Sequence, residues 1–104
     1  MRLRIYVAGP LSQGDRKHNV QQAAWAGLQL IELGYAPLVP HLSDFIDGND
    51  SLGHSTWLDV DLPWVTVSQA LLRLPGPSKG ADMEEECAKE HGVPVFYSIE
   101  DLNE

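Results

Sequence analysis

Ala70-Leu71-Leu72-Arg73-Leu74, then Pro75-Gly76-Pro77, then Ser78-Lys79-Gly80-Ala81-Asp82-Met83-Glu84 is the stretch that decides the fold. The first five residues are a short β-prone run, stopped by two prolines around a glycine. Ser78 is of a type preferred at helix amino ends, and the pattern from Ser78-Lys79-Gly80 to His91 is helical, with Gly92 closing it. A strand, a tight break and a helix in so few residues are the repeating step of a parallel sheet.

The step recurs on both sides. Leu3 to Ala8 is a β-prone run ending in Gly9-Pro10, and a helical pattern follows from about His18 to Leu33, closed by Gly34. Its expected inner face is Val20, Ala23, Ala24, Gly27, Leu28 and Ile31. Ala36 to Pro40 reads as a second short strand. The polar, Gly- and Asp-rich residues 41–54 read as a mobile loop or lid. Ser55 or Thr56 is expected to cap a helix from Trp57, with Pro63 kinking it and the helix restarting at Leu62-Pro63. Trp57 and Trp64 read as either interface or core residues, with core the favoured reading. Val93 to Tyr97 is the fourth strand, and Ser98 to Asn103 a terminal turn of helix. The order β-α-β-α-β-α-β predicts a parallel sheet with helices on both faces. Ligands bind such sheets at the carboxyl ends of the strands. The Gly9-Pro10 loop, the His41 loop and the Pro75–Gly80 loop then share one rim.

Composition narrows the partners. A chain of 104 residues fits one domain. The net charge of −8, with only 7 scattered Lys and Arg, excludes the clustered positive surface that nucleic acid polymers and anionic membranes require. No apolar run approaches the length of a membrane span, and the amino terminus shows no signal core. Cys87 is the sole cysteine, which excludes an internal disulfide and suggests a reducing, cytoplasmic setting. No His/Cys/Asp cluster has the spacing of a zinc site.

Glu84 is the most informative residue. At about 100° per residue it shares a helix face with Ala81, Cys87, Ala88 and His91. Asp82, Glu85, Glu86, Lys89 and Glu90 lie opposite. It is thus the one carboxylate of that helix aimed at the sheet, although acidic residues also favour a first turn for electrostatic reasons alone. Ser78 and Gly80 offer a hydroxyl and free N–H groups to an anion, or Ser78 simply caps the helix. Tyr6 points its hydroxyl to the rim or fills the core. Of Asp59 and Asp61, which straddle Val60, at most one faces the cleft. His41 closes a strand at the rim, a position that favours function.

Several blocks resemble the nucleoside 2-deoxyribosyltransferase-like family, including its nucleotide N-glycosidase branch. They are Ile5-Tyr6-Val7-Ala8-Gly9-Pro10, Pro40-His41, Asp61-Leu62-Pro63-Trp64 and Ser78-Lys79-Gly80-Ala81-Asp82-Met83-Glu84, with Ala88 one turn on. The resemblance spans nearly the whole chain. It implies a Rossmann-like (flavodoxin-like) three-layer α/β sandwich with a small parallel sheet, formed as one domain over residues 1–104.

The resemblance also implies roles. Glu84 matches the nucleophile that attacks C1′ of the sugar, Tyr6 the hydroxyl that holds it, and Asp61 an aspartate that contacts base or sugar and helps proton transfer. His41 matches a histidine near the ligand. Ser78, standing where the transferase branch tends to have aspartate, matches a serine that contacts a 5′-phosphate; with Ser12, Gly9 and Gly80 it completes a substrate-binding set. The implied activity is cleavage of the N-glycosidic bond of a nucleoside 5′-monophosphate or nucleoside, by hydrolysis or base exchange. No metal or organic cofactor is expected, and a homo-oligomer, a dimer, is. The alternative is a nucleotide-binding sensor that keeps the fold without catalysis. Gln69 departs from the aspartate that relatives often carry before the third strand, which puts a structural contact there in question.

Overall fold

A computed structural model describes residues 1–48 and 51–104. Asn49 and Asp50, part of the expected 41–54 loop, lie outside the described residues. The elements run β1 (Arg4–Ala8), α1 (Arg16–Glu32), β2 (Ala36–Leu38), a 3-10 helix (Pro40–Phe45), α2 (His54–Thr66), β3 (Ala70–Arg73), α3 (Lys79–Glu90), β4 (Val95–Phe96) and α4 (Ile99–Leu102). The strands form one parallel sheet in the order β2-β1-β3-β4. Tyr6 stands opposite Leu38 on one side and Leu71 on the other.

Strand alternation sends β1 to both faces. Ile5 and Val7 pack with Ala23, Ala26 and Leu30 of α1, Leu72 of β3 and Leu102 of α4. Tyr6 and Ala8 pack on the other face with Val65 of α2, Leu71 of β3, and Ala81 and Ala88 of α3. The result is the expected α/β sandwich of three layers. Crossovers between parallel strands keep one hand, so winding outward from β1 to β2 and then back across to β3 and β4 moves the helices to the opposite face. The winding reverses between β1 and β3, and a crevice opens outside their carboxyl ends.

That crevice depends on close approach of two loops. A Cβ on Gly9 would lie 2.9 Å from Leu74 Cβ, and one on Gly76, at φ +112°, 2.9 Å from Pro10 Cγ. Leu74 Cβ belongs to a rigid part of its side chain and cannot swing aside. Gly9→Ala is therefore expected to destabilise the fold by about 1–3 kcal/mol through overpacking. In a thermal melt that is a fall of roughly 4–8 °C per kcal/mol for a domain of this size, and an unchanged midpoint would refute the close approach.

Several expectations are corrected. Helix α1 starts at Arg16, capped by the Asp15 carboxylate, and its buried face is Asn19, Ala23, Ala26, Gly27 and Leu30. Ala24, Leu28 and Ile31, expected inside, are exposed along with Trp25. The helix is turned this way because Asn19 donates to Leu11 O and Gln13 O, and because small residues let it lie close to the sheet; a Cβ on Gly27 would already meet Val39 at 3.0 Å. The segment read as a mobile loop begins with a 3-10 helix, favoured by Pro40, whose fixed φ suits a first helical position. Helix α2 starts at His54 after Gly53, not at Trp57, and runs unbroken through Pro63. Pro63 and Asp59, whose carbonyl loses its partner, both lie on the exposed side, where water can serve that carbonyl. Trp64 is exposed, not core.

The Gln69 departure also resolves. Its side-chain oxygen accepts from Arg4 N at 2.8 Å while its own N–H donates to Arg4 O, so it pins the start of β1. Among the described residues no helix is long and apolar enough to cross a membrane.

Candidate active site

The crevice at the winding reversal is a cavity of about 210 Å³. All three rim loops named from sequence line it: Gly9 and Ser12 after β1, His41 after β2, and Ser78 and Gly80 after β3. Asp61 of α2 and Glu84 of α3 line it from the helices. Of the two straddling aspartates, Asp61 faces this cavity and Asp59 is exposed elsewhere.

Glu84 is 6% exposed, buried with Ala81 and Ala88 as the helical spacing predicts. Tyr6, wholly buried in β1, donates its hydroxyl to Glu84 Oε2 at 2.5 Å. Burial pushes the Glu84 carboxyl up to about 8; the Tyr6 hydroxyl opposes this, the Asp61 charge adds to it and Arg73 counteracts it. Burial likewise raises Asp61 to about 6. Burial and the facing carboxylates raise the Tyr6 hydroxyl far above its ordinary range, so it stays a donor. Two interacting carboxyls with displaced proton affinities in a cleft are the arrangement proton-transfer chemistry uses.

His41 is buried, and its Nε2 lies 3.1 Å from both Gly9 O and Pro10 O. Carbonyls only accept, so Nε2 carries hydrogen. Burial draws the imidazole below its ordinary proton affinity, against the pull of the two carbonyls, so the neutral form presents Nδ1 as an acceptor. That Nδ1 is a buried atom with no partner among the described residues.

The amino end of α3 holds fewer free donors than its sequence suggests. Ser78 Oγ caps Ala81 N at 3.1 Å, and Lys79 N donates to Gln13 Oε1 at 2.9 Å. Gly80 N–H has no partner among the described residues, and the Ser78 hydroxyl can still donate. Helix α2 supplies what α3 lacks. Its cap, Gly53, has no side chain to offer, so the N–H groups of His54, Ser55 and Thr56 have no partner among the described residues. Gly53 and His54 line the same cavity, and the His54 ring lies against Gly80, 3.0 Å from where a Cβ would be.

Gln13, His54, Trp57 and Leu58 are among the lining residues that sequence reasoning missed. Trp57 and Leu58 had a signal: counted back from Asp61 by four and three positions, they fall on its helix face. Gln13 had none, because it reaches the cavity by the path of a loop; His54, seven positions before Asp61 on the same face, was left out because the helix was expected to start at Trp57. Among the described residues no three His, Cys, Asp or Glu side chains group closely enough to hold a metal ion.

Comparison with known proteins adds two findings. Residues 3–98 match the family model described as a domain of unknown function, DUF7768. A 2-deoxyribosyltransferase from the psychrotolerant bacterium Bacillus psychrosaccharolyticus has a similar structure. It is 19% identical, with a TM-score of 0.67 over 88% of this chain and 69% of that one. At that identity the likeness establishes the shared deoxyribosyltransferase-like α/β fold. No curated protein matches the sequence.

Proposed function

The chain belongs to the DUF7768 family, and from its deoxyribosyltransferase-like fold and this cavity we propose that it cleaves the N-glycosidic bond of a nucleoside 5′-monophosphate. The observation that carries the reading is the hydrogen bond from Tyr6, which lies buried behind the cavity wall, to Glu84, which lines the cavity together with Asp61. Such a carboxylate suits a reaction that builds positive charge on a sugar, because it both stabilises that charge and can capture C1′. A lone pair of Glu84 forms the bond to C1′ as the bond to the base nitrogen breaks. The electron pair leaves with the base, which takes a proton from Asp61. Water then attacks C1′, gives a proton to Asp61 and frees Glu84; a second base in place of water gives exchange. The steps use protein carboxylates and water alone.

Phosphate recognition is part of the proposal. The Ser78 hydroxyl, Gly80 N–H and Ser12 are donors along the cavity, and His54, whose ring lies against Gly80, adds the amino end of α2, where three N–H groups have no partner among the described residues. Helix amino ends favour anions, and a net charge of −8 elsewhere does not prevent it.

The test is incubation with a panel of nucleosides and 5′-monophosphates, with released base followed by chromatography. Release from monophosphates in preference to nucleosides is the expected result. Release from nucleosides alone would remove the phosphate assignment, and saturable binding without release would favour the sensor.

The pH dependence follows from the two carboxyls. Their protons leave in two steps that belong to the pair, and the reaction uses the one-proton state in its less populated arrangement, with the proton on Asp61 facing the base and Glu84 ionised. A bell-shaped kcat/KM profile is expected, highest between the value of about 6 at Asp61 and about 8 at Glu84. A rate that keeps rising above about pH 9 would exclude Asp61 as the acid.

A further inference from the structure

One buried acid plays no part in this chemistry. Asp47 is only 8% exposed, yet its carboxylate is fully occupied. Oδ1 accepts from Ser51 N at 2.9 Å and from Ser51 Oγ at 2.6 Å. Oδ2 accepts from Leu52 N at 2.9 Å and from the Trp57 indole Nε1 at 3.0 Å. The Ser51 hydroxyl, the Leu52 N–H and the Trp57 N–H together hold its carboxyl below the usual carboxylate range. The group is therefore an ionised acceptor at any working pH.

Three of these bonds tie a loop to itself. The fourth fixes an aromatic ring. Trp57 stands one helical turn before Asp61, and both line the cavity. Trp57 is the only Trp, Tyr or Phe among the described lining residues, and the apolar surface beside it comes from Leu11, Pro40 and Leu58. An indole has one polar atom, so one strong acceptor on Nε1 sets the orientation of the whole ring.

We propose that Trp57 is the platform on which the base of the ligand stacks, and that Asp47 is the positioning residue that holds its ring against the cavity. This rests on the nucleotide reading above. A base is a flat π-system, and an aromatic wall next to the acid that protonates it would orient the leaving nitrogen toward Asp61. Stacking of this kind is worth roughly tenfold to a hundredfold in affinity per base.

The experiment uses Trp25→Phe with Trp64→Phe as background. These tryptophans are 61% and 55% exposed and outside the cavity, and their removal leaves Trp57 as the only indole of the three. Asp47→Asn in this background is compared by emission and acrylamide quenching without ligand. Both forms are then titrated calorimetrically with a purine nucleoside 5′-monophosphate and with ribose 5-phosphate, which lacks the base. In Asp47→Asn, Trp57 emission is expected to shift to the red and quenching to rise. The nucleotide KM should increase about tenfold with kcat within about threefold, and ribose 5-phosphate affinity should hold within about twofold.

In a Trp57→Phe protein, Asp47→Asn should no longer change the preference for nucleotide over ribose 5-phosphate. An unchanged emission in Asp47→Asn, or equal weakening of both ligands, would reduce Asp47 to a loop clamp. If the unsubstituted protein binds ribose 5-phosphate as well as the nucleotide, the platform alone fails. If it binds neither, the proposed function fails and takes the platform with it, while the ligand-free spectra still decide whether Asp47 holds the ring.

Discussion

Glu84→Gln is expected to lower kcat for base release by about 10³-fold or more, with nucleotide affinity changed only a few-fold. Glutamine keeps the shape and lets Tyr6 donate to an amide oxygen, so the geometry around C1′ survives. It has no lone pair able to form the glycosyl intermediate. Base release that persists in this variant would remove Glu84 as nucleophile.

The same substitution is expected to make the protein more stable, in a defined pH window. The Glu84 proton affinity is raised in the folded protein to about 8 from an ordinary 4.5. A raised value means that the fold favours the protonated form. That contribution is complete below about 4.5 and is lost as pH rises through about 8. At higher pH the folded chain carries a buried charge that glutamine does not. The gain in stability of Glu84→Gln should thus be small near pH 4, grow across the interval, and level off above pH 8 at on the order of a few kcal/mol. Melting curves of both proteins across pH test this; a difference that does not vary with pH would mean that Glu84 is not the strained charge.

The second large effect is expected at Arg73. This arginine ends β3 with its side chain buried, and donates to Leu74 O at 2.6 Å, Gly76 O at 3.1 Å and Asp82 Oδ1 at 3.0 Å. It thereby ties the Pro75–Pro77 loop to the start of α3, and its charge is among those that hold down the Glu84 proton affinity. Arg73→Met fills the space but leaves two carbonyls short of a donor, so a loss of about 2–3 kcal/mol is expected. The alkaline side of the pH–rate profile should move upward in the same variant. Asp82→Asn is the contrast: Asp82 is 69% exposed at its side chain, where a single ion pair contributes little. Equal losses in the two variants would place the effect in the ion pair instead of the carbonyls.

Much of the site is legible in the order and spacing of the residues. The wheel of α3 puts Glu84 with Ala81 and Ala88, and all three are buried. The β-loop-α order places three loops on one rim, and all three line the cavity. The same reasoning misplaces α1, because that helix has two candidate faces. The expected face, Val20, Ala23, Ala24, Gly27, Leu28 and Ile31, shares Ala23 and Gly27 with the buried one, but the larger apolar side chains Leu28 and Ile31 draw it away from Ala26 and Leu30. What turns the helix is Asn19, whose amide satisfies two loop carbonyls, and the need for small side chains against the sheet.

Glu84 shows where the division lies. That it points inward follows from a period of 3.6 residues, a property of the local chain that any helix there would obey. That it meets the Tyr6 hydroxyl, 78 positions away, follows from the register of β1 and the packing of α3 on the sheet. The proton affinity then follows from burial and from Asp61 on a third element. Likewise the Ser78 cap is readable along the chain, but the donation of Lys79 N–H to Gln13 is not. Periodicity and turn residues act over a few positions and set direction, so element order, the parallel sheet and the inward Glu84 are already present in the linear chain. Partners, distances and charge states depend on segments brought together from far apart, and they exist only in the folded arrangement.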